Sequence, residues 1–289
     1  MAKRRLPLFL SAPSCYEMTM KKRFEGSIVW ITGGGSGIGR ALAEEFARQG
    51  ANVVVSGRRR ERLEETCEAL KALGSDAMFV EADVTSDASL SLAVDAIVER
   101  YGRLDIAVAN AGFAVSSRIE NLDAATLRRQ LDTNVVGLVS TARAAMPELR
   151  KSKGQIVLIG SVTSVFWAPG VGPYNASKAA VRALGRTLAI EMHGTGVGVT
   201  TIHPGFVESE INQVDNRGVY NPKRRDTRPA KLMWPSDRAA RVMVRAIAQR
   251  KREFVFTWHG KFGFFLGKHL PGLVHFFMTR SGKKGLLEP

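Results

Sequence analysis

Residues 27–56 read SIVWITGGGSGIGRALAEEFARQGANVVVS, and this stretch decides the fold. Residues 27–32 (SIVWIT) form a short apolar run of the kind that makes a buried strand. Gly33-Gly34-Gly35-Ser36-Gly37-Ile38-Gly39 follows directly. Residues 40–49 (RALAEEFARQ) then carry helical spacing, with Gly50 as the stop. Residues 52–56 (NVVVS) are a second strand. In such a unit the glycines let backbone approach a ligand, and the first N–H groups of the helix face a pyrophosphate. A glycine cluster alone is weak evidence, but between a strand and a helix, with a second strand completing the unit, it predicts a dinucleotide site in a doubly wound, parallel α/β sheet.

The end of the second strand bears on which dinucleotide. Where a carboxylate would hold the ribose 2′-hydroxyl of NAD, the chain has Ser56-Gly57-Arg58-Arg59-Arg60. Arg58 and Arg59 suit a 2′-phosphate, so NADP(H) is expected in preference to NAD(H); the alternative is that they only open a solvated helix over residues 61–73. Residues 77–80 (AMFV) are a third strand leading to Asp83 and Val84, placed to meet an adenine edge. A helix over 89–100 precedes a fourth strand at 104–108, which ends in Asn110-Ala111-Gly112. Residues 122–147 contain one long helix with Asn134 in its middle, and an interior Asn asks for a reason because it is a mediocre helix former.

A second chemical cluster follows the strand at residues 155–160 (QIVLIG). Ser161 stands at its carboxyl end, Tyr174 thirteen positions on, and Lys178 four after that. In a helix over 176–188, Tyr174 and Lys178 share one face. A free phenol titrates near pH ~10, and a neighbouring ammonium is expected to lower that value toward the working range. Residues 198–202 (GVTTI) are a sixth strand, and Pro204-Gly205 turns the chain at the sheet edge. The polar, turn-rich stretch over about 206–235 suits a mobile lid. A helix over 237–250 and a strand over 253–257 (EFVFT) complete the pattern.

The 289 residues suffice for one α/β domain with appendages: an extension over 1–24, a body over 25–258 and a tail over 259–289. The two cysteines, Cys15 and Cys67, form no disulfide framework, and no metal-ligand spacing occurs. The net charge of +15 sits at the ends: residues 26–220 hold 20 Lys and Arg against 21 Asp and Glu, whereas residues 221–289 hold 16 against 4. A neutral body argues against nucleic acid, and basic ends favour an anionic surface. The expected location is cytoplasmic, with peripheral contact at a membrane. The opening residues resemble a signal peptide only faintly, and Met18 or Met20 reads as a possible start; disorder or a weak surface anchor are the alternatives. Residues 261–278 (KFGFFLGKHLPGLVHFFM) are apolar but interrupted, too broken to span a bilayer. They read either as two interfacial amphipathic segments or as a cover for the substrate mouth or a partner subunit. His259, His269 and His275 read as incidental.

TGGGSGIG at 32–39, NAG at 110–112, Asn134, Ser161, Tyr174 with Lys178, and PG at 204–205 together resemble the short-chain dehydrogenases/reductases, in order, from about residue 25 to 257. The family often has NNAG, and Ala109 departs from that. The resemblance implies a Rossmann fold and hydride transfer between a nicotinamide cofactor and a carbonyl or alcohol, with homo-oligomers common. It implies that Tyr174 is the general acid or base and that Lys178 lowers its pKa and binds the nicotinamide ribose. Ser161 would polarise the carbonyl and Asn134 would hold a relay water. Thr32, Gly33, Ser36, Gly37, Ile38, Gly39, Arg58, Arg59, Asp83, Val84, Asn110, Ala111, Gly112, Pro204, Gly205 and Val207 would line the cofactor. The greasy tail points to a small hydrophobic, lipid-like substrate, with Phe166, Trp167, Phe206 and Val207 as pocket walls. A protein that kept the fold as a catalytically silent nucleotide sensor or scaffold is the alternative.

Overall fold

In the computed structural model, which describes residues 22–224, 226 and 228–281, the expected β-α-β unit is present. Strand β1 (Ile28–Thr32) leads into helix α1 (Gly37–Arg48) and returns as β2 (Asn52–Gly57). All five residues of β1 are buried, because helices cover both faces of a parallel sheet and leave no solvent side. After α2 (Arg60–Ala72) come β3 (Met78–Glu81), α3 (Asp87–Tyr101) and β4 (Ile106–Ala109). The second half supplies β5 (Gln155–Ile159), β6 (Gly198–His203) and β7 (Glu253–Val255). The seven strands are all parallel, in the order β3-β2-β1-β4-β5-β6-β7.

The order reverses between β1 and β4, where Val29 pairs with Ile106 and Ile31 with Val108. Ligands of open α/β sheets bind at such a switch point, outside the carboxyl ends of the strands. Alternate residues of β1 feed two cores. Val29 and Ile31 pack with Leu42 and Phe46 of α1 and with Met243 and Val244 of α7 (Ser236–Ala248). Ile28 and Trp30 face Leu90 and Ile97 of α3, Leu149 of α5 (Gly137–Ser152) and Val181 of α6 (Gly172–Glu191). The buried Trp30 Nε1 donates to Ser56 Oγ at 2.9 Å, so its polar atom is satisfied inside the sheet.

Three boundaries depart from the sequence reading. The helix expected over 122–147 is two helices, α4 (Ala124–Leu131) and α5, joined by a π-helical turn over Asp132–Val136 that carries Asn134. That turn accommodates the interior asparagine, and α5 continues past Pro147 to Ser152. Helix α6 starts at Gly172, with Pro173 in its first turn, where a missing N–H costs no intrahelical bond. Strand β7 stops at Val255, and Thr257 instead caps α8 (Trp258–His269), accepting from the Gly260 N–H. Helix α9 (Pro271–Ser281) follows. Among its described residues, the segment between β6 and α7 has short 3-10 turns at Glu210–Gln213 and Ala230–Leu232 and no longer helix. It is tied down by a bridge between Val207 and Trp234. No helix among the described residues is long and apolar enough to cross a membrane. The reading of most of the extension over 1–24 concerns residues outside those described.

Candidate active site

The glycine turn is built to let two loops touch. Gly33 has φ +66°, and a Cβ there would sit 2.9 Å from Ala111 Cα, so both conformation and contact call for glycine. Thr32 Oγ1 accepts from the Asn110 and Ala111 N–H groups at 3.1 and 3.2 Å. Asn110 Nδ2 donates back to Thr32 O at 2.9 Å. The loop over 110–112 is thereby held against the first βα turn. Helix α1 begins with no side-chain cap and no acidic residue in its first turn. Its leading N–H groups therefore keep their attraction for an anion.

At the end of β2 the arginines reach inward. Arg59 Nη2 donates to Ser36 Oγ at 2.9 Å and to Glu210 Oε2 at 2.7 Å, while its Nη1 is buried without a partner. Arg58 Nη2 donates to Gly218 O at 3.3 Å. Arg58, Arg59, Asp83, Val84 and Gly112 all line a cavity of about 730 Å³. Ser36, Gly37, Ile38 and Gly39 form its floor beside Gly33, Asn110 and Ala111. Pro204, Gly205 and Val207 close another side.

Ser161, Tyr174 and Lys178 line the same cavity. Ser161 stands just beyond β5 and caps a 3-10 turn, its Oγ accepting from the Thr163 N–H at 3.2 Å. Tyr174 lies in the first turn of α6, with its hydroxyl beside the Ser161 side chain. Lys178 follows one turn on, with Nζ 5.7 Å from the Tyr174 ring centroid and donating to Ile159 O at 2.8 Å. Burial pushes the Tyr174 phenol above its ordinary value, against smaller lowering by the Ser161 hydrogen bond and the Arg228 charge. Burial also brings Lys178 down to about 8. Lys178 is not among the groups that lower the phenol, since its Nζ is engaged by the Ile159 carbonyl, and burial raises the phenol against Ser161 and Arg228.

Asn134 lies behind this wall. Its Oδ1 accepts from the Phe113 N–H at 3.1 Å, and its Nδ2 donates to Phe113 O at 2.9 Å and to Ser177 Oγ at 3.1 Å. With that amide fully engaged, Thr133 is the π-turn residue on the cavity wall. Of the four expected pocket walls only Val207 lines the cavity. Trp167 is 54% exposed, Phe166 lies beside Gly263 of α8, and Phe206 stacks on His259. His259 Nε2 accepts from the Phe206 N–H at 3.3 Å, at the start of the segment between β6 and α7.

Sequence reasoning missed four residues: His203, Glu253, Arg182 and Arg228. His203, fully buried, sets Nδ1 3.1 Å from Ser161 O and Nε2 3.1 Å from Glu253 Oε1. Glu253 also accepts from Arg182 Nε at 2.8 Å. The His203 and Arg182 contacts hold its carboxyl down to about 2. Arg228 reaches back across the segment between β6 and α7 to Val207 O at 2.8 Å and Ser209 O at 2.9 Å. The pattern beside His203, Pro204-Gly205, marked the turn but not what the imidazole touches.

A profile of the short chain dehydrogenase family matches residues 27–219. An Arabidopsis thaliana protein named 11-beta-hydroxysteroid dehydrogenase 1A is 41% identical over 202 residues, 69% of this chain and 58% of the relative. The chain thus spans little more than half the length of that relative. Among solved structures, a short-chain dehydrogenase/reductase from Burkholderia phymatum in complex with NAD is 27% identical with a TM-score of 0.73, covering 81% of this chain and 89% of that one. An alcohol dehydrogenase from Thermococcus sibiricus complexed with 5-hydroxy-NADP is 27% identical with a TM-score of 0.70, covering 80% and 96%. The fold agrees with these likenesses, and the chain belongs to the short-chain dehydrogenase family.

Proposed function

We propose that the protein is an oxidoreductase moving a hydride between NADP(H) and the carbonyl or secondary alcohol of a hydrophobic, lipid-like substrate. Tyr174 serves as general acid in reduction and as general base in oxidation. The observation that carries the reading is the meeting of Tyr174, Ser161 and Lys178 on the wall of the cavity that the glycine turn and Arg59 also line. The residues present fit a dinucleotide: the start of α1 lacks a cap, and Arg59 keeps one buried donor without a partner. A bound nicotinamide supplies or accepts the hydride. Ser161 donates a hydrogen bond to the substrate oxygen, and the Tyr174 hydroxyl passes its proton to that oxygen in reduction. The raised phenol pKa keeps that proton in place at neutral pH. Lys178, mostly ammonium below its pKa of about 8, favours the phenolate once the proton has left.

NADP(H) over NAD(H) rests on Arg58 and Arg59, two cations where a 2′-phosphate would lie and no carboxylate from β2. The lipid-like substrate rests on two supports: the steroid in the plant relative's name, and the apolar Ile211, Val214 and Val219 on the cavity wall. The test pairs two variants under NADPH and a panel of ketosteroids, retinal and long-chain aldehydes. Tyr174→Phe should bind NADPH as before and lose at least about a hundredfold in turnover. Arg59→Gln should weaken NADPH about tenfold while leaving NADH nearly unchanged. Turnover surviving in Tyr174→Phe would remove the acid/base role. A wild type that binds NADPH but turns over nothing in the panel would make it a nucleotide sensor.

A further inference from the structure

Helices α8 and α9 cover part of the body on one side and leave the other side bare. In α8 the inward stripe is Gly260, Phe264 and Gly267, with the two glycines packed on the loop over 162–166 and Phe264 against His203. The outward stripe is Trp258, Phe262 and Phe265, spaced one and two turns apart and 67, 62 and 56% exposed. Among the described side chains of α9 only Val274 is buried, while Leu273, Phe276 and Phe277 stand 43, 45 and 58% exposed. Single exposed apolar residues are ordinary, but six large ones on two adjoining helices mark an interaction surface.

The charge around them selects the occupant. Residues 254–287 hold five Lys or Arg and no Asp or Glu. Lys261 and Lys268 are exposed on α8, and the Arg280 guanidinium sits 3.8 Å from the Phe276 ring centroid. Among the described residues, a second copy of this face would bring cations against cations, with no Asp or Glu on α8 or α9 to pair them. A bilayer with anionic headgroups supplies the complementary charge together with an apolar layer for the rings.

We propose that the outer face of α8 and α9 docks the protein on an anionic lipid surface, with the aromatic rings at the headgroup–acyl boundary and Lys261, Lys268 and Arg280 on lipid phosphates. Because the inner face of α8 packs on the loop that follows Ser161, docking sets the catalytic cavity beside the bilayer. The inference concerns the surface alone and stands whatever the reaction is.

The test is sedimentation of the full chain with vesicles of phosphatidylcholine alone or mixed with phosphatidylglycerol. Wild type should bind the mixed vesicles, and added salt should weaken that binding. Phe262→Ser with Phe265→Ser, and Phe276→Ser with Phe277→Ser, should each reduce it about tenfold or more, with Tm and NADPH affinity unchanged since these side chains face water. Lys261→Gln with Lys268→Gln should remove the preference for the anionic lipid. Absence of binding to mixed vesicles, or binding indifferent to all three pairs, would overturn the proposal. So would a wild-type dimer that ignores vesicles and that the Phe pairs dissociate, because the face would then belong to a second copy.

Discussion

Glu253 shows how much one carboxylate decides. It accepts from Arg182 at 2.8 Å and lies 3.1 Å from His203, whose other nitrogen lies against Ser161 O. Its pKa of about 2 lies below the ordinary glutamate value, so its contribution to stability is full above about pH 4.5 and is lost as pH falls toward 2. Glu253→Gln should cost about 1–3 kcal/mol at neutral pH, with water screening the exposed edge of the pair. It should also flatten the acid limb of the stability curve between pH 5 and 3 in chemical denaturation. Equal slopes for wild type and variant would detach the carboxylate from the low pKa. This network was illegible in the sequence because its members are 50 and 71 positions apart, and nothing in EFVFT signals an ion pair. The pair at Tyr174 and Lys178 was legible because helical spacing is local. The direction of the phenol's shift was not, because desolvation depends on what folds over it.

Helix α8 is held close by glycine. A Cβ at Gly267 would run into Val165 O, and one at Gly260 would meet Val162 Cγ1 at 3.2 Å. Gly267→Ala should push the helix off the loop following Ser161. The expected loss is about 1–3 kcal/mol in stability and a fall in turnover larger than any change in cofactor affinity, read from thermal melts and NADPH titration. Unchanged melting and turnover would show that the helix can shift freely. The elements themselves were largely readable: residues 27–32, 52–56 and 155–160 stand as β1, β2 and β5 to within a residue, since strands buried on both faces appear as unbroken apolar runs. The π-turn at Asn134 was not, because one extra residue in a helix leaves the apolar pattern on either side nearly intact.

Across the whole molecule, the segment between β6 and α7 straps the cleft from one side to the other. Glu210 holds Arg59, and Gly218 O accepts from Arg58. At the far side Asn216 Oδ1 accepts from the Ser116 N–H at 3.1 Å, and its carbonyl accepts from Arg129 Nη1 at 3.0 Å. The Glu210 carboxylate thus sits on the arginine proposed to take a 2′-phosphate and competes with it. Glu210→Gln should tighten NADPH about three- to tenfold, with a smaller effect on NADH, in fluorescence titrations. An equal change for both would show that the strap, not the charge, sets the affinity. The partners across the strap are 87 to 160 residues apart, and only its turn-rich composition could be read from the chain.

The pairing of β1 with β4 has a consequence for how the protein is made. Residues 29–31 find their second neighbour only at residues 106–108. During synthesis β1 therefore waits as an open edge while α2, β3 and α3 emerge from the ribosome, with its backbone donors and acceptors on that side unmet. A nascent chain stalled in this interval offers other stalled chains a ready strand to join.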